Sequence, residues 1–296
     1  TTAGTYSGTI TTVSSGGCNE ITQSIGVTVN APVVTNTGGT TTGGNTATGG
    51  TTTGGTNSSG QSCTDRTYVP DDNFEAELIA LGYDDVVDDY VCTVNISSVT
   101  SINLRAKSIN DATGINSFSA LTFLEISQNQ NLGNTLVISN LTSLVTLQAR
   151  NSGITSIDVS NNTSLNKLDM DYNPITSLNV SALNSLETLW CGNTNLTSLD
   201  ITNNTSLIDF RCQNNSGTGY NLTSINLDNN TNITWLQLSY QNLSSIDVSN
   251  ITNLNTLKVN DNPNLSCIKA SQNQINSLGS LSWTRDSGVT ISTTCN

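Results

Sequence analysis

Aromatic residues make up only 5% of this 296-residue chain. Several of them nonetheless sit beside Arg and amide side chains at matched spacings: Tyr172, Trp190, Arg211, Tyr220, Trp235 and Tyr240. Exposed aromatics in such company suit stacking on sugar rings or anchoring a protein partner. The plainer alternative is that Trp190 and Trp235 cover a strand edge or pack against each other. A second group, Asp84, Asp85, Asp88 and Asp89, brings several carboxylates within calcium-chelating reach. It lacks the D-x-D-x-D-G spacing of a dedicated loop, so a solvated turn is its simpler reading.

Catalysis finds little footing. The chain has no histidine, which removes Ser-His-Asp and Cys-His nucleophile arrangements and any histidine-containing zinc motif. Paired carboxylates can hydrolyse glycosides, but Glu125, Glu187 and the scattered Asp residues fall on a repetitive surface without a cleft. We therefore expect no enzyme and no cofactor. Lys+Arg number 9 against 22 Asp+Glu, a net charge of -13, so no basic patch exists for nucleic acid. No apolar run is long enough to span a membrane. The chain begins at Thr1 with neither a methionine nor a signal peptide, as a mature product or a fragment would.

The aromatic positions belong to units that repeat. "LVTLQARNSGITSIDVSNNTS", "LNKLDMDYNPITSLNVSALNS" and "LETLWCGNTNLTSLDITNNTS" place Leu147, Leu168, Leu189 and Phe210 each 21 residues apart. Leu236 follows after a step of 26 and Leu257 after another 21. In "LNKLDMDYNPI", Leu165, Leu168, Met170 and Ile175 point inward, while Lys167, Asp169 and Asp171 alternate outward as a short strand requires. Asn173 then closes the pattern, its amide free to bond backbone where the chain leaves the strand. Asn129, Asn215 and Asn262 share this slot; Ser152, Thr194 and Gln241 replace it in turns expected to be less tightly held.

A second apolar triplet, such as Ile154, Ile157 and Val159, predicts a second strand-like edge in each coil. Its outward residues are monotonous, with an Asp/Asn column at Asp158, Asn179, Asp200, Asn226 and Asp247 that avoids stacking like charges. On the first edge the outward column varies: Glu125, Gln148, Asp169, Trp190, Arg211, Gln237 and Lys258. Lys167, Trp235, Tyr172 and Tyr240 flank it. Variation on one edge and monotony on the other separate a candidate binding face from scaffold.

The period and the L-x-x-L-x-L-x-x-N-x-L pattern identify residues 98–268 as leucine-rich repeats, and they resemble the short alternating class of bacterial repeats. The expected fold is a mainly β solenoid with coils of about 21 residues, each buried only by stacking on its neighbours. In 63–97, "VPDDNFEAELIALGYDD" reads as a helical N-terminal cap: Asp71 or Asp72 caps it, Phe74, Leu78 and Leu81 form the stripe, and Gly82 ends it. In 269–296, Leu278, Leu281, Trp283, Val289 and Ile291 are expected to fold over the last coil as a C-terminal cap.

Cys63 with Cys92, and Cys267 with Cys295, bracket the two caps and read as disulfides, each closing a loop worth roughly 3 to 4 kcal/mol on the chain-entropy account. Stable disulfides imply an oxidising compartment. Cys191 and Cys212 occupy an inward slot and read as small apolar fillers, with a bridge or a metal site as alternatives. Cys18 is left over.

Residues 35–62 are almost wholly Thr, Gly, Asn and Ser and read as a flexible linker. Before it, 1–34 reads as two alternating strands around a Ser-Gly-Gly turn. Its "GTYSGTITTVSSGGC" and "VTVN" resemble the closing strands of immunoglobulin-like repeats in surface proteins of the Bacteroidetes. The cap wording resembles that of secreted Flavobacteria-type leucine-rich-repeat proteins exported by the type IX system. The resemblance implies an extracellular, cell-surface adhesin that binds protein or glycan as part of a larger chain. A structural spacer and a non-catalytic targeting module of a secreted hydrolase are the alternatives.

Overall fold

The computed structural model describes residues 5–10, 23–28, 63–134, 136–215 and 221–295. The chain divides into two compact units, Thr1–Thr51 and Thr52–Asn296. In the first, β1 (Thr5–Ile10) and β2 (Gln23–Thr28) pair antiparallel, with Thr5 opposite Thr28. The Ser-Gly-Gly turn between them, Cys18 and the segment 35–62 lie outside the described residues.

The second unit opens with β3 (Arg66–Tyr68), α1 (Asp72–Ala80), β4 (Tyr90–Cys92) and the single turn α2 (Thr93–Ile96). Asp71 caps α1, accepting the Phe74 N–H at 2.9 Å. Its second oxygen takes the N–H groups of Asn110 and Asp111, which ties the helix to the first coil. Phe74 and Leu78 are fully buried, and Phe74 stacks on Phe118 at 6.4 Å. Leu81 does not complete the stripe; it is 43% exposed. Gly82 at φ +79° turns the chain, Gly82 N–H bonds Ile79 O, Tyr83 N–H bonds Leu78 O, and Tyr83 packs on the core instead. This paired closure satisfies the carbonyls at the helix end and reverses the direction in which the next apolar residue points.

Nine parallel strands then form one sheet. In spatial order they are β5 (Ser101–Asn103), β6 (Phe123–Glu125), β7 (Thr146–Gln148), β8 (Lys167–Asp169), β9 (Thr188–Trp190), β10 (Asp209–Arg211), β11 (Trp235–Gln237), β13 (Thr256–Lys258) and β15 (Ser282–Thr284). Ile102, Leu124, Leu147, Leu168, Leu189, Phe210, Leu236, Leu257 and Trp283 are in register through the core. All of these except Ile102 and Trp283 are fully buried, each worth roughly 1.5–3 kcal/mol. The fold is a leucine-rich-repeat β-solenoid.

The second edge is strand only near the C-terminus, where β12 (Ser245–Asp247), β14 (Cys267–Lys269) and β16 (Thr290–Ser292) pair in parallel. Elsewhere its column residues serve turns. Asp158, Asn179, Asp200, Asn226 and Asp247 each accept the backbone N–H two residues on, and this turn chemistry accounts for the Asp/Asn preference. The segment expected to fold over the last coil instead extends it. After α3 (Gln272–Asn276), β15 joins the large sheet and β16 the small one. Val289 is buried and Trp283 half-buried, so the end of the chain is itself a coil.

Two ladders of side-chain amides serve the corners. Asn173 donates to Ala149 O and Met170 O and accepts from Ser152 and Ile154 N–H; Asn129 and Asn262 do the same kind of work. Gln241 is no weaker substitute, bonding Cys212 O at 2.5 Å and Leu222 N–H at 2.9 Å. Asn215 departs from the slot: it is exposed and donates to the Tyr172 hydroxyl at 3.1 Å. The second ladder is Asn162, Asn204 and Asn230, each donating to two backbone carbonyls of the preceding coil, with Gln274 as its last member. Its signal in the sequence was the Asn-Asn pair shared by "VSNNT", "ITNNT" and "LDNNT".

Disulfides join Cys63 to Cys92 and Cys267 to Cys295, with Cα separations of 5.7 and 5.8 Å. Cys191 and Cys212 are buried free thiols. Burial first, and the neighbouring Cys212 second, raise the Cys191 thiol well above its usual range, so Cys191 stays a protonated core filler.

Candidate binding face

Strands in parallel register stack their outward side chains in columns about 4.8 Å apart. Trp190 and Arg211 share one column, since Arg211 lies opposite Trp190. Trp235 lies in another, opposite Asp209 and Thr256. The large side chains lean across the gap between columns. Lys167 Nζ lies 4.4 Å from the Trp190 ring centre, and the Arg211 guanidinium 4.8 Å from it. The same guanidinium is 4.5 Å from the Trp235 ring, and Lys258 Nζ is 5.3 Å from that ring.

The result is an alternating series, Lys167, Trp190, Arg211, Trp235, Lys258, running across five strands. Its spacing matches that of the strands, so attraction between cation and ring costs the sheet no distortion. Asp209 aims the central cation, accepting Arg211 Nε at 2.8 Å and Nη2 at 2.7 Å, the two-pronged geometry that a guanidinium favours. The indole N–H groups of Trp190 and Trp235 are buried without hydrogen-bond partners, as is that of Trp283.

Tyr172 belongs to an adjoining group. Its ring lies 4.4 Å from the Arg150 guanidinium, and Arg150 also bonds Asp171 at 3.0 Å. Tyr172 and Tyr240 have φ of +60° and +58°. They share this left-handed conformation with Ala106, Gln128, Asn151, Asn193 and Asp261, one at the corner of each of these coils. For a residue with a Cβ this costs roughly 1–2 kcal/mol, so the corner forces the two tyrosines into place beside the face. Tyr220 lies outside the described residues.

Asp169 and Asp171 are 4% and 3% exposed, not the solvated outward residues that alternation suggests. Neighbouring side chains in the packed columns cover them. Asp171 accepts the Gly192 N–H at 2.6 Å. Burial, with the Asp169 charge second, pushes its carboxyl up to about 6, against the pull of Gly192, Arg150 and Arg211. Asp169 is raised for the same leading reason, burial. Arg150 and Asp171 were missed as site residues, although their 21-residue separation places them in adjacent coils.

The four cap aspartates do not converge as a group. Asp88 pairs with Arg66 at 2.6 Å, Asp84 is buried, and Asp89 joins Asp72 and Glu75 instead. On the second edge a shallow groove of about 540 Å³ crosses Ile157, Leu178 and Leu199 between Ser and Asp/Asn walls.

No family model matches the chain, and no curated protein matches it. Among solved structures it is similar to the functional domain of InlJ from Listeria monocytogenes, described as including a cysteine ladder. Identity is 25%, over 70% of this chain and 57% of that one, with a TM-score of 0.48. Internalin C2 of the same organism gives 20% identity over 66% of this chain and 97% of that one, TM-score 0.43. A leucine-rich-repeat protein of Leptospira interrogans gives 17% over 67% and 54%, TM-score 0.46. The chain thus spans just over half the length of the first and third, and what it is similar to are bacterial leucine-rich-repeat proteins.

Proposed function

We propose that the chain is a cell-surface or secreted adhesin module that binds a protein or glycan through the outer face of its nine-stranded sheet. The observation that carries this reading is the alternating Lys167, Trp190, Arg211, Trp235, Lys258 series. It gathers the chain's two largest exposed-edge aromatics and three of its nine basic residues on one face of a protein with a net charge of -13. Tryptophan and arginine are the residues that most often dominate binding energy at interfaces. The two disulfides support an oxidising, extracellular setting. Export by the type IX route and a place in a larger surface chain belong to the same proposal, resting on the resemblance of the cap and of the first strands.

Because each indole has a cation on two sides, its faces are not free to stack on a sugar ring. Of the two ligand classes, this favours a protein partner meeting ring edges and cationic tips. The same self-satisfied series favours, as a second reading, a rigid spacer whose face binds nothing. Binding of the purified chain, and of a Trp190→Ala, Trp235→Ala variant, to glycan arrays and to whole cell surfaces separates them. Binding by the parent that a folded variant loses assigns the face. Absence of binding by both returns the molecule to the spacer reading.

A further inference from the structure

Monotony on the second edge builds a continuous apolar floor: Ile157, Leu178, Leu199, Ile225, Ile246 and Ile268 recur at one place in successive coils. Where the backbone ladder of β12 and β14 closes this edge, Ile246 and Ile268 are only 3% and 1% exposed. Where the ladder is absent the floor opens. Leu178 and Leu199 are each 8% exposed, and Ile157 and Ile225 are half-buried. The groove of about 540 Å³ over Ile157, Leu178 and Leu199 continues into one of about 390 Å³ that shares Leu199 and reaches Ile225.

The rim of this groove is acidic. Asp158 and Asp200 are exposed on it, and no lysine or arginine lines either part. In each, Oδ1 accepts the N–H of the residue two on, Ser160 or Thr202. That bond holds the carboxyl below its ordinary range and leaves Oδ2 available. The closed end of the same column shows what meets such an aspartate. Asp247 makes the identical turn bond, to Ser249 N–H, and its Oδ2 takes the ammonium of Lys269, opposite it in the next coil, at 2.7 Å. Asp158 and Asp200 have Asn179 and Asn226 at the position where Asp247 has lysine, so within the column their charge is unanswered.

We propose that the open length of this groove docks an extended, lysine-bearing segment of a partner protein. Its ammonium groups take at Asp158 and Asp200 the place that Lys269 takes at Asp247, and its apolar side chains lie on Leu178 and Leu199. The two aspartates are two coils apart, roughly 10 Å at the usual strand spacing. A polyproline II segment rises about 3.1 Å per residue with about three residues per turn, so every third side chain returns to one face about 9 Å further on. The groove therefore selects Lys-x-x-Lys with apolar residues between. It lies on the opposite edge from the tryptophan and arginine series and does not depend on what that face binds.

The test is fluorescence anisotropy of a labelled Lys-Val-Pro-Lys-Val-Pro-Lys peptide titrated with the full chain at about 0.15 M salt, where attraction to distant charges is screened. Saturable binding is expected, weaker by roughly threefold or more in Asp158→Asn, Asp200→Asn. That variant should fold, because Asn179 and Asn226 already make the same turn bond with an asparagine. Asp65→Asn, Asp72→Asn removes as much charge from exposed positions in the cap and should bind as the parent does. Lys-Gly-Ser-Lys-Gly-Ser-Lys, with nothing apolar to lay on the floor, should bind more weakly. A parent that does not bind the first peptide overturns the proposal. So does a groove variant that binds as the parent does or no worse than the cap variant, and so does a Gly-Ser peptide that binds as tightly.

Discussion

The guanidinium of Arg211 lies 4.5 Å from the centre of the Trp235 ring on the neighbouring strand, and the same group touches Trp190 on its other side. One side chain thus joins two columns of the face.

Arg211→Ala removes both ring contacts and the Asp209 pair. Cation–π contacts at exposed sites contribute about 0.5–1 kcal/mol each, and an exposed ion pair less. Chemical denaturation should register a loss of about 1–2 kcal/mol. Arg211→Lys should recover only part of it, since Lys cannot pair in two-pronged fashion with Asp209.

Asp171 gives stability a pH dependence of known sign. Its folded carboxyl takes up a proton near pH 6, above the ordinary 3.8, so between these values the folded state binds more protons than the unfolded one. This group's contribution to stability therefore improves as pH falls from 7 towards 4, by on the order of 3 kcal/mol. Asp171→Asn keeps an acceptor for the Gly192 N–H and should flatten the difference between unfolding free energies measured at pH 7 and pH 4.5.

Ala106 is exposed at φ +55°. Ala106→Gly relieves the left-handed strain and should raise stability by about 0.5–1 kcal/mol, after the entropy that glycine costs in the unfolded chain. A lower urea midpoint for the variant would count against the corner geometry.

Gly153 is the opposite case. It has φ +69°, and a Cβ there would stand 2.0 Å from Gln130 O of the preceding coil. Gly153→Ala must push two coils apart, with an expected loss above about 2 kcal/mol and faster amide exchange in β6 and β7.

Cys295→Ser opens a 28-residue separation that ties the final coil. A loss of about 2–4 kcal/mol is expected, with unfolding that begins at the C-terminal end. Preserved exchange protection in β15 and β16 in the variant would contradict that order.

The 21-residue period determined the solenoid by itself. Once Leu147, Leu168, Leu189 and Phe210 recur at one step, each coil stacks on the last and residues one step apart must share a column. The separation of a variable from a monotonous edge was legible for the same reason, and the cap helix from its own capping aspartate and helical spacing. Only tertiary structure decided what happens across that direction. The lean of Arg211 between columns, the burial of Asp171 and the left-handed corner at Tyr172 depend on side-chain packing between coils, which no single-coil pattern encodes. Asn215 left its slot just before the five-residue insertion that lengthens its coil, breaking the constant step on which the reading rests. Leu81 lost its place to Tyr83 because the closing turn of α1 redirected the chain, and the last segment became a coil because exposed strand edges offered backbone hydrogen bonds that a loose cover would have left unmade.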